Sequence, residues 1–93
     1  MGLGHLRRCS TIAHSLVREY PDVSVLILSG SPIIGSFDFR SRVDFVRIPG
    51  VIKLRNGEYT SLNLGIDFEQ TIHMRAEIIK HTADIFAPDM VIV

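Results

Sequence analysis

The residues best suited to chemistry stand at the start of the chain, where Gly2, Gly4, His5, Arg7 and Arg8 precede or open a helical pattern. Glycines permit a tight strand-to-helix turn and let a ligand approach the backbone closely. The N–H groups at the start of a helix, together with the positive end of its dipole, favour phosphate. The sequence therefore predicts an anion-binding turn here. A turn that only connects two elements is the alternative that a G-x-G pair leaves open.

Two side chains of this turn are candidates for distinct roles. A neutral imidazole in the first helical turn can act as a general base toward an acceptor hydroxyl or water, which is the role predicted for His5. Its alternative is a hydrogen bond to a neighbouring loop. Arg8 can hold a diphosphate in a charge-assisted fork, or it can be solvated. Arg7 is expected in solvent.

A second set of candidates follows the first predicted strand. Ser29, Gly30 and Ser31 come directly after the apolar run at residues 23–28. Open α/β sheets bind ligands at the carboxyl ends of their strands, so these residues are predicted to line an acceptor cleft. An ordinary strand-ending turn uses the same residue types. The irregular segment 52–64 is predicted to lie over the same face, as an acceptor loop or a plain surface excursion.

The remaining histidines and the single cysteine point to structure. His14, His73 and His81 form no H-x-x-x-H pair, and no Cys or carboxylate cluster completes a metal site with them. We expect all three at the surface or its boundary. Cys9 falls on an apolar stripe and is expected to be a small core residue. No metal and no cofactor are predicted.

Apolar spacing predicts the elements that position these residues. A helix is expected over residues 5–20, strands over 23–28 and 43–48, a helical turn near 35–39 and a hairpin around Asn56-Gly57. Asp67 and Gln70 predict a capping box at the start of a second helix, which ends at Ala87-Pro88. Residues 90–93 predict a third strand. The predicted buried stripe of the second helix is Phe68, Ile72, Ala76, Ile79, Ala83 and Phe86.

Composition narrows the class of protein. The chain has 93 residues, 46% of them hydrophobic, with ten Lys+Arg against ten Asp+Glu. The hydrophobic fraction is therefore sufficient for a core. The net charge is zero and gives no long-range attraction to nucleic acid or to an anionic membrane. One cysteine fits a reducing compartment, and no signal peptide or apolar run of membrane length is visible. We expect a cytoplasmic α/β domain.

The order of elements predicts parallel βαβ units. The first helix has no strand before it, and the chain ends inside an apolar run. We therefore expect a piece of a longer protein whose missing first strand would be central to the sheet. Such a piece is expected to fold poorly alone, or to leave a gap beside strand 23–28.

The motif Gly2-Leu3-Gly4-His5-Leu6-Arg7-Arg8 resembles the G-x-G-H-x-x-R turn of GT-B nucleotide-sugar enzymes. These include family-28-type glycosyltransferases and the related UDP-sugar hydrolase of pseudaminic acid synthesis. The order of elements across the chain is most similar to a predicted bacterial glycosyltransferase group. The resemblance implies that residues 1–93 are part of a Rossmann-like, acceptor-side N-terminal domain. The domain that holds most of the nucleotide would lie outside the chain.

The resemblance also implies an activity. A sugar would pass from a nucleotide-sugar donor to an acceptor, with His5 as base and with Gly2, Gly4 and Arg8 near phosphate. The partners implied are a nucleotide sugar and an unknown acceptor, without nucleic acid, and peripheral membrane contact is left open. Hydrolysis of a nucleotide sugar and non-catalytic binding of a phosphorylated ligand are the alternatives.

Overall fold

The computed structural model describes residues 3–61 and 63–93 of the chain, so Met1 and Gly2 lie outside the described residues. It is a small mixed α/β structure. Two α-helices, one three-residue 3₁₀ turn and four short strands follow one another: α1 (Leu3–Glu19), β1 (Val25–Ser29), the 3₁₀ turn (Ile34–Ser36), β2 (Val43–Arg47), β3 (Val51–Lys53), β4 (Tyr59–Ser61) and α2 (Phe68–Phe86). The chain divides into two compact units between Ile48 and Pro49.

The first unit is built on a pair of parallel strands. β1 and β2 pair in register from Val25 opposite Val43 to Ser29 opposite Arg47. β-Branched and aliphatic residues favour such strands because their side chains pack well on a pleated surface. The predicted parallel pairing of the two apolar runs is confirmed. So is the helix before them, which begins two residues earlier and ends one residue earlier than expected.

α1 covers one face of this strand pair. Its residues Ala13 and Val17 are buried with Val43 of β2 in one apolar cluster. Packed against that cluster are Val23, Val25, Ile27 and Phe39. Ala13 and Val17 are one turn apart, as an amphipathic helix requires, and both belong to the apolar stripe that the spacing predicts. Ile12 and Tyr20 of the same predicted stripe are 46% and 58% exposed, so only part of it packs.

Arg42, the residue before β2, fixes the direction of α1. Its guanidinium donates hydrogen bonds to the carbonyls of Val17 (2.7 Å), Tyr20 (3.3 Å) and Val23 (2.7 Å). Two of these carbonyls belong to the end of α1, whose last C=O groups have no partner within the helix. The carboxyl end of α1 is therefore tied to the amino ends of β1 and β2.

The second unit is a hairpin joined to a helix. β3 and β4 pair antiparallel, with Val51 opposite Ser61. In the turn, Leu54 N–H bonds the carbonyl of Glu58, Gly57 N–H bonds that of Leu54, and Gly57 has a φ of 90°. Asn56 keeps a negative φ, so the turn is a three-residue loop with glycine in the left-handed position. The predicted hairpin at Asn56-Gly57 is confirmed.

α2 begins where the sequence predicts and packs on an unexpected side. The Asp67 side chain accepts a hydrogen bond from Gln70 N–H at 2.7 Å, as an N-cap does. Thr71 is fully buried and hydrogen-bonded to Ser61 of β4. Arg75 donates to the carbonyl of Pro49 at 2.6 Å. Polar contacts thus hold this side of the helix.

The predicted buried stripe of α2 is therefore wrong. Ile72, Ile79 and Phe86 are 41%, 43% and 42% exposed, and Thr71 is the buried residue of this helix. The apolar spacing identifies positions that can be buried, but the hairpin that covers α2 has only three residues per strand. It reaches the Thr71 side and leaves the apolar side open.

The predicted third strand is also absent from its position. Residues 90–93 form no strand, and Met90 and Val91 are 77% and 73% exposed. A strand is stable only when a neighbour completes its backbone hydrogen bonds. In the described part of the chain no strand lies alongside this run. The parallel pairing in the described residues is that of β1 with β2, and the expected larger parallel sheet stays a prediction.

Replacing Arg42 tests the tie between α1 and the strands. We expect Arg42→Ala to lower the free energy of unfolding by about 1–3 kcal/mol, because three carbonyls lose a charged donor. Arg40→Ala is the matched control, since only the backbone of Arg40 makes a contact here. Urea denaturation followed by circular dichroism measures both. Equal stabilities of the two variants would contradict this account of Arg42.

Removing the helix cap tests the start of α2. Asp67→Ala is expected to cost about 1 kcal/mol, because Gln70 N–H loses its acceptor. Asp67→Asn keeps a capping oxygen and should remain near the parent. The measurement is the shift of the denaturation midpoint at unchanged slope, and an Asn variant as unstable as the Ala variant would oppose the cap assignment.

Candidate functional site

The candidate site is the edge of the sheet at which β1 and β2 end, called the carboxyl edge here and defined by Ser29 and Arg47. These two residues are register partners, and Ile48 N–H donates to the Ser29 carbonyl at 2.9 Å. Parallel strands bring their carboxyl ends to one edge of a sheet, where ligands of α/β proteins bind.

The side chains of Ser29 and Arg47 share the sheet face that α1 covers. Val25, Ile27 and Val43 belong to the apolar cluster formed with α1. Side chains two residues apart along a strand lie on the same face. Ser29 therefore follows Val25 and Ile27 on that face, and Arg47 follows Val43 across from it.

α1 brings its amino end toward this same edge. Its carboxyl end is held at the opposite edge by Arg42 and it packs on both strands, so it runs antiparallel to them. A helix of 17 residues is about 25 Å long and a five-residue strand about 17 Å. The first turn of α1 therefore reaches the level of the carboxyl edge or beyond it.

The predicted glycine turn is in part a helix. Gly4 lies inside α1, and the residues with left-handed backbone in the described chain are Arg42, Gly57, Gly65 and Ala87. Gly4 is helical and therefore does not use the backbone angles that are closed to other residues. Nothing lies within 4 Å of a Cβ placed on Gly4, so its backbone is open to approach. The expectation for Gly2 lies outside the described residues.

The N–H groups in the first turn of α1 point out of the helix. The first N–H groups of a helix have no acceptor within it, which includes those of Gly4 and His5. They carry the positive end of the helix dipole. The requirement for an anion-binding helix start is therefore met in the backbone.

His5 is exposed and contacts Cys9 one turn further along α1. Its Nε2 lies 3.7 Å from the Cys9 Sγ. In the tautomer that protonates Nε2, the sulfur accepts and Nδ1 keeps its lone pair for a proton. Cys9 is half-buried, so it lies at the boundary of the core and not inside it as expected.

Arg7 and Arg8, near the start of α1, are exposed, and their directions differ from that of the buried stripe. At about 100° per residue, Arg8 lies opposite the side formed by Ala13 and Val17, whereas Arg7 and His5 flank it. The diphosphate contact predicted for Arg8 stays a prediction. Its position on the helix directs it away from the sheet face that carries Ser29.

The loop after β1 orders two hydroxyl groups. Ser29 Oγ accepts from Ser31 N–H at 3.0 Å, and Ser31 Oγ accepts from Ile33 N–H at 3.3 Å. Each hydroxyl thus uses a lone pair on the backbone and keeps its O–H to donate. Ser29, Gly30 and Ser31 are half-buried, so a ligand at the carboxyl edge would find donors already oriented.

The other histidines have local contacts. His14 is half-buried, and its Nε2 accepts from Arg40 N–H at 3.2 Å, which ties α1 to the segment before β2. His81 Nε2 lies 3.8 Å from Glu77 Oε2, and His73 is exposed on the same helix. Their expected surface or boundary positions are confirmed. Among the described residues no group of three or more His, Cys, Asp or Glu side chains could hold a metal ion.

The structure therefore places Ser29 and Ser31 at the carboxyl edge, and the amino end of α1, which carries His5, runs toward the same edge. Arg47 lies at this edge too, although the sequence pattern predicts no role for it. A cation at the end of a predicted strand is a weak signal, and only the register opposite Ser29 gives it meaning. The segment 52–64 belongs to the second unit, where most of it forms the hairpin.

Comparisons with known proteins give no relative: no family model, no curated protein and no solved structure matches the chain. No helix in residues 3–61 and 63–93 combines the length and the apolar character needed to cross a membrane.

Replacing Gly4 tests whether the first turn of α1 needs a glycine for its conformation or only for the open space around its backbone. Because its backbone is helical and the space around it is open, Gly4→Ala should stabilise the fold by up to about 1 kcal/mol. The matched control is Gly57→Ala, which should destabilise because Gly57 has a φ of 90°. Thermal denaturation of both variants checks this, and a destabilised Gly4→Ala would show that the first turn needs a glycine for its own conformation.

Proposed function

We propose that the chain belongs to a glycosyltransferase that moves a sugar from a nucleotide-sugar donor to an acceptor. In this proposal it forms the acceptor-side part of a Rossmann-like N-terminal domain of the GT-B kind, and the nucleotide is held mainly by a second domain outside the chain. The donor is a substrate, and no cofactor is proposed.

One observation carries the proposal. The amino end of α1, with His5 in its first turn, runs toward the edge at which β1 and β2 end in Ser29 and Arg47. A proton acceptor, free backbone N–H groups and hydroxyl donors are thereby directed to one side of a parallel α/β unit. The G-x-G-H-x-x-R resemblance supplies the reaction class, because the enzymes that carry this motif act on sugar diphosphates.

The reaction would use these groups in the following way. His5 takes the proton of an acceptor hydroxyl as its oxygen bonds to the anomeric carbon of the donor sugar. The bond from that carbon to the diphosphate breaks, and the nucleoside diphosphate leaves with the electron pair. The N–H groups of Gly4 and His5 stabilise the growing phosphate charge, with Arg8 as a further predicted contact.

Ser29, Gly30 and Ser31 would hold the acceptor in this scheme. The Ser29 and Ser31 hydroxyls can donate to acceptor oxygens, and Gly30 between them has no side chain. Holding the acceptor hydroxyl near His5 converts an encounter into a positioned reaction, which is a large share of what an enzyme supplies.

Replacing His5 tests the proposal, in the protein at its full encoded length. With a panel of nucleotide sugars and acceptors, His5→Ala is expected to lower kcat by about 10²–10⁴-fold, the usual contribution of a general base. KM for the nucleotide sugar should change little. The measurement is release of nucleoside diphosphate, resolved by chromatography.

His81→Ala is the matched control, because His81 is a surface histidine paired with Glu77 on α2. It should retain parental turnover. Unchanged turnover in His5→Ala would remove His5 as the base. Free sugar released without any acceptor would favour the related hydrolase, and an absence of nucleotide-sugar binding would leave only a non-catalytic domain for a phosphorylated ligand.

A further inference from the structure

Arg47 is placed as a ligand-binding residue that the proposed reaction does not yet use. It is the last residue of β2, it is exposed, and it lies opposite Ser29 in the register of the parallel pair. An exposed cation at the carboxyl end of a parallel strand has little structural function there, because the apolar cluster of this unit lies further back along the strands.

The charge of Arg47 is available. Among the described residues no carboxylate lies within 4.0 Å of the Arg47 guanidinium, so none neutralises it by direct contact. Asp44 is three residues earlier on the opposite face of β2, and its carboxylate accepts from Phe45 N–H at 2.8 Å. The guanidinium therefore keeps its donors for a group outside the described chain.

Arg47 and Ser29 together suit an oxyanion. The Ser29 hydroxyl has accepted from Ser31 N–H and keeps its O–H to donate, on the same sheet face as the Arg47 guanidinium. A planar guanidinium binds two oxygens of one phosphate or carboxylate, and a neighbouring hydroxyl can donate to the same group. Neutral sugar hydroxyls would make poorer use of an unneutralised cation at this position.

We infer that Arg47, with Ser29, binds an oxyanion of the acceptor, so that the acceptor is an anionic molecule carrying a phosphate or a carboxylate. The identity of the bound molecule as the acceptor rests on the proposed function, whereas the oxyanion contact rests on the strand register and the charge of Arg47. In this arrangement the negative group of the acceptor lies at the strand ends, and the first turn of α1 is left for the diphosphate of the donor.

The oxyanion contact is tested with inorganic phosphate and with acetate, titrated separately into the ¹⁵N-labelled chain at fixed ionic strength. Amide shifts of Ser29, Ser31 and Arg47 should move together and saturate. Arg47→Gln should raise the Kd about tenfold or more, as expected for loss of a charged hydrogen bond. Arg47→Lys keeps the charge without the fork and should fall between the two.

Arg55→Gln is the matched control, because it removes the same charge from the turn of the β3–β4 hairpin. It should bind within about twofold of the parent, since salt screens a charge that does not touch the ion. Equal Kd values for the parent and Arg47→Gln would overturn the inference, and so would equal weakening in the Arg47 and Arg55 variants. Tighter phosphate than acetate binding supports a phosphorylated acceptor, and the reverse supports a carboxylate.

Activity then separates the two proposals. If the full-length protein transfers sugar and Arg47→Gln leaves kcat/KM for the acceptor unchanged, the Arg47 inference fails and the glycosyltransferase stands. If Arg47→Gln weakens phosphate binding while no nucleotide sugar is turned over, the oxyanion site stands and the proposed function fails.

Discussion

The first unit depends on one arginine that satisfies the end of a helix. Arg42 donates to the carbonyls of Val17, Tyr20 and Val23, so that the exit of α1 and the entry to β1 converge on the start of β2. Arg42 itself has a φ of 69°, a conformation that costs a non-glycine residue about 1–2 kcal/mol. In that conformation the guanidinium donates to three carbonyls, of which that of Tyr20 also accepts from Val23 N–H at 3.0 Å.

Because Arg42 holds one end of α1, the polar groups at the two edges of the strand pair are used differently. At the amino edge, Arg42 and the bond from Arg40 N–H to His14 consume polar groups in holding α1 to the strands. At the carboxyl edge, the first N–H groups of α1 have no acceptor within the helix, and the Ser29 and Ser31 hydroxyls each keep an O–H to donate. Arg47 there has no ion-pair partner among the described residues. Contacts at its carboxyl end hold α1 in position, so its amino end needs no ligand to stay in place.

Local patterns predicted the elements well because the forces that form them are local. The periodicity of α1, the apolar runs of β1 and β2, the Asn56-Gly57 turn and the Asp67 cap each depend on residues a few positions apart. The buried side of α2 and the strand at residues 90–93 depend on which element lies alongside, and spacing carries no information about that. Their predictions failed for this reason.

The candidate site was predictable to the same degree. The sequence identified Ser29–Ser31 and the start of α1 from their places after a strand and before a helix. It gave no reason to choose Arg42 or Arg47 from the other arginines. Arg42 acts through contacts 19 to 25 residues away, and Arg47 gains its interest from a register partner 18 residues earlier.

The helical state of Gly4 changes what the opening motif can do. A glycine in a left-handed turn would cradle an anion by the shape of its backbone, whereas a helical glycine offers N–H groups, the dipole and an unobstructed approach. Arg8 lies on the side of α1 away from the sheet, so the cation nearest in register to the oriented hydroxyls is Arg47. The positive potential of the candidate site thus has two sources. The start of α1 contributes its N–H groups and helix dipole without a charged side chain on the sheet side, and the end of β2 contributes the Arg47 guanidinium. Two separate anionic groups, one at each place, fit that division better than a single diphosphate held by the motif alone.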